Sequence, residues 1–148
     1  MQKTEDAATV ATVWKSTDIP GVSIVQTDFL QLSQATVGEQ VDFVWDRAAL
    51  VAIEPSDRKA YAAKTSALCA PAAKILLNTV EYPGPPFKMR GPPFSVGLEE
   101  VKSLYEPHGF VVEDLLREPA EDQARGKFAK LDGAMDERVF LLSRQYHT

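Results

Sequence analysis

Residues 74–82, Lys-Ile-Leu-Leu-Asn-Thr-Val-Glu-Tyr, constrain the fold of this chain more than any other segment. The run is far too short to cross a bilayer, and its aliphatic and β-branched content makes it a strand. Its continuous apolar stretch predicts burial on both faces, as in a parallel sheet. Four more strands are expected, at 22–26, 41–45, 109–116 and 138–143. Between them lie helical patterns. Pro55, with Glu54 beside it, suits the first turn of a helix running to about Ala70, with Tyr61, Thr65 and Leu68 on one stripe. A second helix starts at Ser95 or Gly97 and continues through Leu98, Val101, Leu104 and Tyr105. An alanine-rich segment occupies 48–53, and 117–137 is a charged loop or frayed helix. The Ala and Val content of 5–15 predicts a short helix, so 1–19 is a poorly ordered or short helical N-terminus.

Strands alternating with helices define an α/β domain. The expected sheet has four or five strands, mostly parallel, with helices on both faces near 55–70 and 97–107. No apolar helix separates the last two strands, so 109–116 and 138–143 should pair as a C-terminal antiparallel hairpin.

The bulk properties narrow the function. The chain has 148 residues, one domain's worth, and 45% are apolar, enough for a core. Acidic residues outnumber basic ones 21 to 16, for a net charge of −5. Such a surface argues against nucleic acid as a partner, though not against a small cation. The single cysteine, Cys69, forms no internal disulfide and fits a reducing compartment. The N-terminus shows no basic region followed by an apolar run, and no segment approaches membrane-spanning length. The expectation is a soluble, cytoplasmic domain without a membrane partner.

In open α/β sheets, ligands bind beyond the carboxyl ends of the strands. Three such ends carry polar or special residues: Thr27-Asp28-Phe29, Asp46-Arg47, and Tyr82 with the loop after it. That loop holds Gly-Pro-Pro-Phe twice, at 84–87 and 91–94. Each has a plainer explanation. Asp28 suits a turn or helix cap. Asp46 and Arg47 suit a local ion pair. Phe87 and Phe94 suit a plug for the sheet end, and the prolines suit a stiff loop. Cys69 is a small buried hydrophobe with no activating partner. His108 belongs in an exposed turn and His147 at the terminus. The sequence has no Ser-His-Asp arrangement, P-loop, metal-ligand spacing or G-x-G.

One longer pattern adds to this. Val-Asp-Phe-Val-Trp-Asp-Arg-Ala-Ala-Leu-Val-Ala-Ile at 41–53, then Pro55 and Arg58-Lys-Ala-Tyr61, resembles the segment after the fourth strand of thiopurine S-methyltransferases. Asp28-Phe29, Gly91-Pro-Pro-Phe-Ser-Val with Glu99-Glu100-Val101, and the tail 137–144 match as well. The resemblance runs from about Pro20 onward. It implies a class I, Rossmann-like methyltransferase fold and a cytoplasmic, metal-free enzyme. It also implies methyl transfer from S-adenosylmethionine to the sulfur of a thiopurine or other small thiol.

By matching position, Thr27, Asp28, Phe29, Asp46 and Arg47 would border the cofactor, and Arg47 would act as the catalytic cation. Pro92, Pro93 and Phe94 would wall the substrate side.

The resemblance departs from the family ahead of Pro20. The family has a first strand with a Gly-rich loop and a second strand ending in an acidic residue, and residues 1–19 hold neither. A domain comprising the C-terminal part of the methyltransferase fold, 20–148, is therefore expected. Its 22–26 strand would lack neighbours, and its exposed sheet edges would favour self-association. Cofactor binding by this chain alone should be impaired. The alternatives are a non-catalytic remnant or binding protein, or a related thiol or halide methyltransferase.

Overall fold

The computed structural model describes residues 1–6, 11–84, 91–119 and 135–144. Two sheets organise them. The first is antiparallel and contains β1 (Gln2–Asp6), β2 (Ala11–Lys15) and β3 (Ser23–Gln26), in that order. The helix expected over 5–15 is therefore corrected to strand. Its alanines favour helix, but Thr12, Val13 and Trp14 are β-branched or aromatic. A partner strand places Val25 opposite Val13 and Ile24 opposite Trp14. The turn joining β2 to β3 passes through Gly21 at φ 81°, where a side chain would be strained. Ser16 fixes the turn by accepting at its Oγ from the Ile19 N–H at 3.0 Å. β3 thus has β2 along one edge, where no neighbour was expected.

The second sheet contains β4 (Val41–Arg47), β5 (Cys69–Glu81), β6 (Phe110–Pro119) and β7 (Asp136–Arg144), in the order β4-β5-β7-β6. β4 and β5 run parallel, while β7 is antiparallel to both β5 and β6. The sheet is mixed, not mostly parallel. The expected C-terminal hairpin is present, with Leu142 opposite Val112 and Phe140 opposite Asp114. A register shift between Asp114 and Leu116 bulges β6 near its middle.

Three helices accompany the sheets among the described residues: α1 (Gln34–Val37), α2 (Arg58–Leu68) and α3 (Leu98–Tyr105). α2 starts three residues beyond Pro55, and its Tyr61, Thr65 and Leu68 are buried as the stripe predicts. α2 and α3 pack against each other. Both bury the same sheet face, where Tyr61, Ala62, Val101 and Leu104 join Ile75, Leu77, Phe140 and Leu142 in one core. The expectation of helices on both faces is corrected accordingly. β5 shows why: Ile75 and Leu77 are buried, but Leu76 and Asn78 between them are only half-buried. On the opposite face, which neither α2 nor α3 covers, Trp45 is 65% exposed.

α2 passes directly into β5, with Leu68 ending the helix and Cys69 beginning the strand. Arg144, at the end of β7, closes this junction. Its Nη2 donates to the Ser66 carbonyl at 2.7 Å and its Nη1 to the Cys69 carbonyl at 3.0 Å. The guanidinium also lies 4.7 Å from the centre of the Phe110 ring. The Ser66 carbonyl also accepts from the Cys69 N–H, so Arg144 adds a second donor at the helix end. Cys69 is buried, and burial pushes its thiol pKa up, so it is a core residue as expected.

Candidate functional site

β4 and β5 are parallel, so their carboxyl ends share one rim of the sheet. Asp46 and Arg47 end β4 with opposite roles. Period-2 alternation turns Asp46 toward the helices, where it is 3% exposed, and leaves Arg47 on the open face. The Asp46 carboxylate accepts from the Tyr61 hydroxyl at 2.8 Å and from the Leu50 N–H at 3.3 Å. Desolvation raises its pKa, and those hydrogen bonds, with one from the Ala49 backbone, offset part of the rise. Burial raises the Tyr61 hydroxyl as well, reinforced by the Asp46 charge. Asp46 is thus a structural anchor, with no ion pair to Arg47. Ala48 follows at φ 68°, a left-handed conformation that turns the chain sharply after Arg47.

Asp28 caps the short turn Phe29–Gln31, its carboxylate accepting from the Leu30 N–H at 3.0 Å. That turn brings Phe29 onto Tyr61, with ring centroids 4.8 Å apart. Phe29, Asp46 and Arg47 share a cavity of about 340 Å³ beside β4, also lined by Leu32, Val37 and Trp45. Thr27 and Asp28 line neither this cavity nor the second one described next.

The second half of the Gly-Pro-Pro-Phe loop is tied to the same rim. The Phe94 N–H donates to the Val51 carbonyl at 2.7 Å, and the Tyr82 hydroxyl donates to the Pro93 carbonyl at 3.0 Å. Ser95 exchanges hydrogen bonds with the Tyr82 backbone at 3.0 and 3.1 Å. Gly91, at φ 77°, lies against the Phe94 ring so closely that a Cβ there would sit 2.3 Å from its Cδ1. Phe94 in turn lies 5.6 Å beneath the guanidinium of Arg58, which is 3% exposed and ion-paired with Glu100.

Pro93 and Arg47 line the second cavity, about 220 Å³, with Asn78, Val80, Val51 and Glu137. Pro92 is exposed and lines neither cavity. Phe87 and His147 lie outside the described residues, and His108 ends a short turn half-buried.

The structure therefore brings Phe29, Asp46, Arg47 and Pro93 to one rim and commits both carboxylates to local hydrogen bonds. The sequence reading quoted Arg58 within the family resemblance but gave no site role to Arg58, Asn78 or Glu137. Arg58 could have been flagged as a charge beside the apolar stripe of α2. Asn78 and Glu137 needed the strand register. No group of three or more potential metal ligands occurs among the described residues, and no helix of the described residues is long and apolar enough to cross a membrane.

The fold matches solved methyltransferases. The chain superposes with a TM-score of 0.62 on phosphoethanolamine N-methyltransferase 2 of Haemonchus contortus, solved with S-adenosylhomocysteine, at 13% identity, covering 84% of this chain and 38% of that one. It also superposes with a TM-score of 0.52 on an S-adenosylmethionine-dependent methyltransferase of Archaeoglobus fulgidus, at 11% identity, covering 80% and 66%. The architecture is that of the class I methyltransferases, an incomplete Rossmann-like sheet. The thiopurine S-methyltransferase family model matches residues 1–145, and the chain belongs to that family. The match reaches ahead of Pro20, so the β1–β2 region is family sequence too.

A probable thiopurine S-methyltransferase of Danio rerio is 35% identical over 133 residues, covering 90% of this chain and 54% of its own length. The Xanthobacter autotrophicus relative is 38% identical over 125 residues, covering 84% and 54%. The chain spans about half the length of these curated relatives.

Proposed function

We propose that this chain forms the acceptor side of an S-adenosylmethionine-dependent methyltransferase acting on the sulfur of a thiopurine or other small thiol. One observation carries the reading: Arg47 lines both cavities, the apolar one beside β4 and the one walled by Pro93. The first, with Phe29, Leu32 and Val37, fits the flat purine end of the cofactor. The Asp46 carboxylate is buried and engaged by Tyr61 and Leu50, and Asp28 lines neither cavity. A Gly-rich turn suited to its amino-acid end is absent from the sequence, which has no G-x-G.

When bound, the cofactor supplies an electrophilic methyl group on a sulfonium. The chain's own residues then have modest tasks. The Arg47 cation holds an ionised sulfur at the rim and stabilises its charge. Pro93 walls the acceptor, while Phe94, which lines neither cavity, packs on Gly91 and Arg58 and helps tie the loop that fixes the approach. A thiolate needs no strong base, which fits a rim whose carboxylates are otherwise engaged.

Methyl transfer should need a Gly-rich strand–loop joined ahead of this sequence, and the chain alone should bind the cofactor weakly. The uncovered sheet face should favour self-association. The test is radiolabelled methyl transfer to an aryl thiol, by this chain and by a version extended with the family's Gly-rich segment. Turnover only by the extended form, abolished by Arg47→Ala, supports the reading. Equal turnover by both forms overturns the need for that segment, and no turnover by either overturns the enzymatic reading. That last outcome, with strong binding of a small molecule, would favour a non-catalytic binding protein.

A further inference from the structure

The cavity walled by Pro93 carries an asymmetry that the catalytic role of Arg47 does not use. Arg47 stands opposite Asn78 across β4 and β5, and Glu137 stands opposite Val80 across β5 and β7. Their alternation puts all three polar side chains on the open sheet face, around one space of about 220 Å³. Arg47, Asn78 and Glu137 make no side-chain hydrogen bond or ion pair with one another or with any described residue. A cation, an amide and a carboxylate thus face one space with their hydrogen-bonding capacity unspent. Val51, Val80 and Pro93 supply apolar walls.

The strand register sets the gap between Arg47 and Glu137. They are two strands apart and about two residues apart along the strands. With strands ~4.8 Å apart and ~3.4 Å per residue, their backbones lie roughly 12 Å from one another. Where the two side chains stand perpendicular to the sheet their tips keep that separation, and subtracting a hydrogen bond of about 2.9 Å at each end leaves roughly 6 Å, the length of a fused bicyclic ring. An anion alone would need only Arg47, and a cation only Glu137. A flat ligand with an anionic edge and an N–H edge satisfies both, and Asn78 lies between them to donate or accept along the ring.

We propose that Glu137 is a specificity-determining residue: its carboxylate accepts a ring N–H of a heterocyclic thiol whose ionised sulfur faces Arg47. The proposal rests on the sulfur-acceptor reading above. It gives the acceptor a shape and polarity: a planar N-heterocycle with sulfur and N–H on opposite edges. Acceptors with a thiolate alone lose the Glu137 contact but keep the Arg47 contact.

The experiment is calorimetric titration of this chain with two probes, 6-mercaptopurine, which has ring N–H groups, and 4-chlorothiophenol, which has none. Glu137→Leu should weaken mercaptopurine about tenfold or more and change 4-chlorothiophenol by less than about twofold. Glu137→Gln, which keeps one acceptor oxygen, should fall between wild type and Glu137→Leu for mercaptopurine. Arg47→Ala should weaken both probes. Circular dichroism checks that each variant is folded, and Glu137→Gln serves as the test if Glu137→Leu is not. Equal losses for both probes on substituting Glu137, no loss for mercaptopurine, or no mercaptopurine binding by the unsubstituted chain at millimolar concentration overturns the proposal. If the selective pattern holds while the extended chain fails to transfer methyl groups, the enzymatic reading falls and the binding assignment stands.

Discussion

The Tyr61 hydroxyl donates to Asp46 Oδ2 at 2.8 Å, fastening α2 to β4 one residue before Arg47. A buried carboxylate deprived of its donor carries its full desolvation penalty. Tyr61→Phe should therefore lower stability by about 1–3 kcal/mol, measured by urea unfolding. A loss below about 0.5 kcal/mol would show that the Leu50 and Ala49 N–H groups alone satisfy Asp46.

The same pair sets a pH dependence. Burial raises the Asp46 pKa, so the folded chain holds that proton more tightly than the unfolded chain does. Its contribution to stability is fully present below the unfolded carboxylate value of about 3.9. It is lost as pH rises from there through the higher folded value. Asp46→Asn removes the titration. The stability difference between variant and wild type should move in the variant's favour as pH climbs from about 4 toward 7. Urea midpoints that run parallel across that range would contradict this.

Gly91 makes the loop wall sensitive to a single methyl group. Its φ of 77° disfavours a side chain, and a Cβ would meet the Phe94 ring at 2.3 Å. Gly91→Ala should displace Phe94 and lower stability by about 1–3 kcal/mol. It should also loosen the Arg58–Phe94 contact, read as altered proteolysis after Phe94. Unchanged stability and unchanged cleavage would refute the close approach.

The uncovered sheet face should bind a second copy of the chain. Phe43 and Trp45 are 57% and 65% exposed on β4, and Val111 is 47% exposed on β6. All three point to the side opposite α2 and α3. Sedimentation should show mass rising with concentration, and Trp45→Lys should suppress it. A chain that stays monomeric at millimolar concentration would rule this out.

Much of the fold was legible because local pattern and tertiary context agree. The β6–β7 pairing follows from two apolar runs with no apolar helical pattern in the sequence between them, and α2 follows from the Tyr61, Thr65, Leu68 stripe. Burial on one face only was not legible from 74–82. The apolar run looks the same whether or not its second face is covered, and only packing decides. The N-terminal strands were hidden by alanine-rich composition, whose weak helical preference is overridden by pairing with β3. At the site, the C-terminal ends of β4 and β5 pointed to Arg47 and Pro93. Asp28 matched its plainer reading as a turn cap. Asp46 required the fold, because nothing local reveals Tyr61 as its partner fifteen residues on. Glu137 was beyond reach, since its neighbour Val80 is set by a long-range strand register.

Arg144 also bears on how this chain leaves the ribosome. It lies in the last described strand, yet it satisfies carbonyls at Ser66 and Cys69. β7 itself lies between β5 and β6, so both of those strands wait for it. Synthesis runs from the N-terminus, and the segment that closes the sheet therefore emerges after both strands it joins. Until then the helix–strand junction lacks the Arg144 contacts, and β5 offers an open edge to any other nascent chain. Folding should thus be largely post-translational and slow, governed by one long-range insertion. A chaperone would gain most by shielding β5 during that interval.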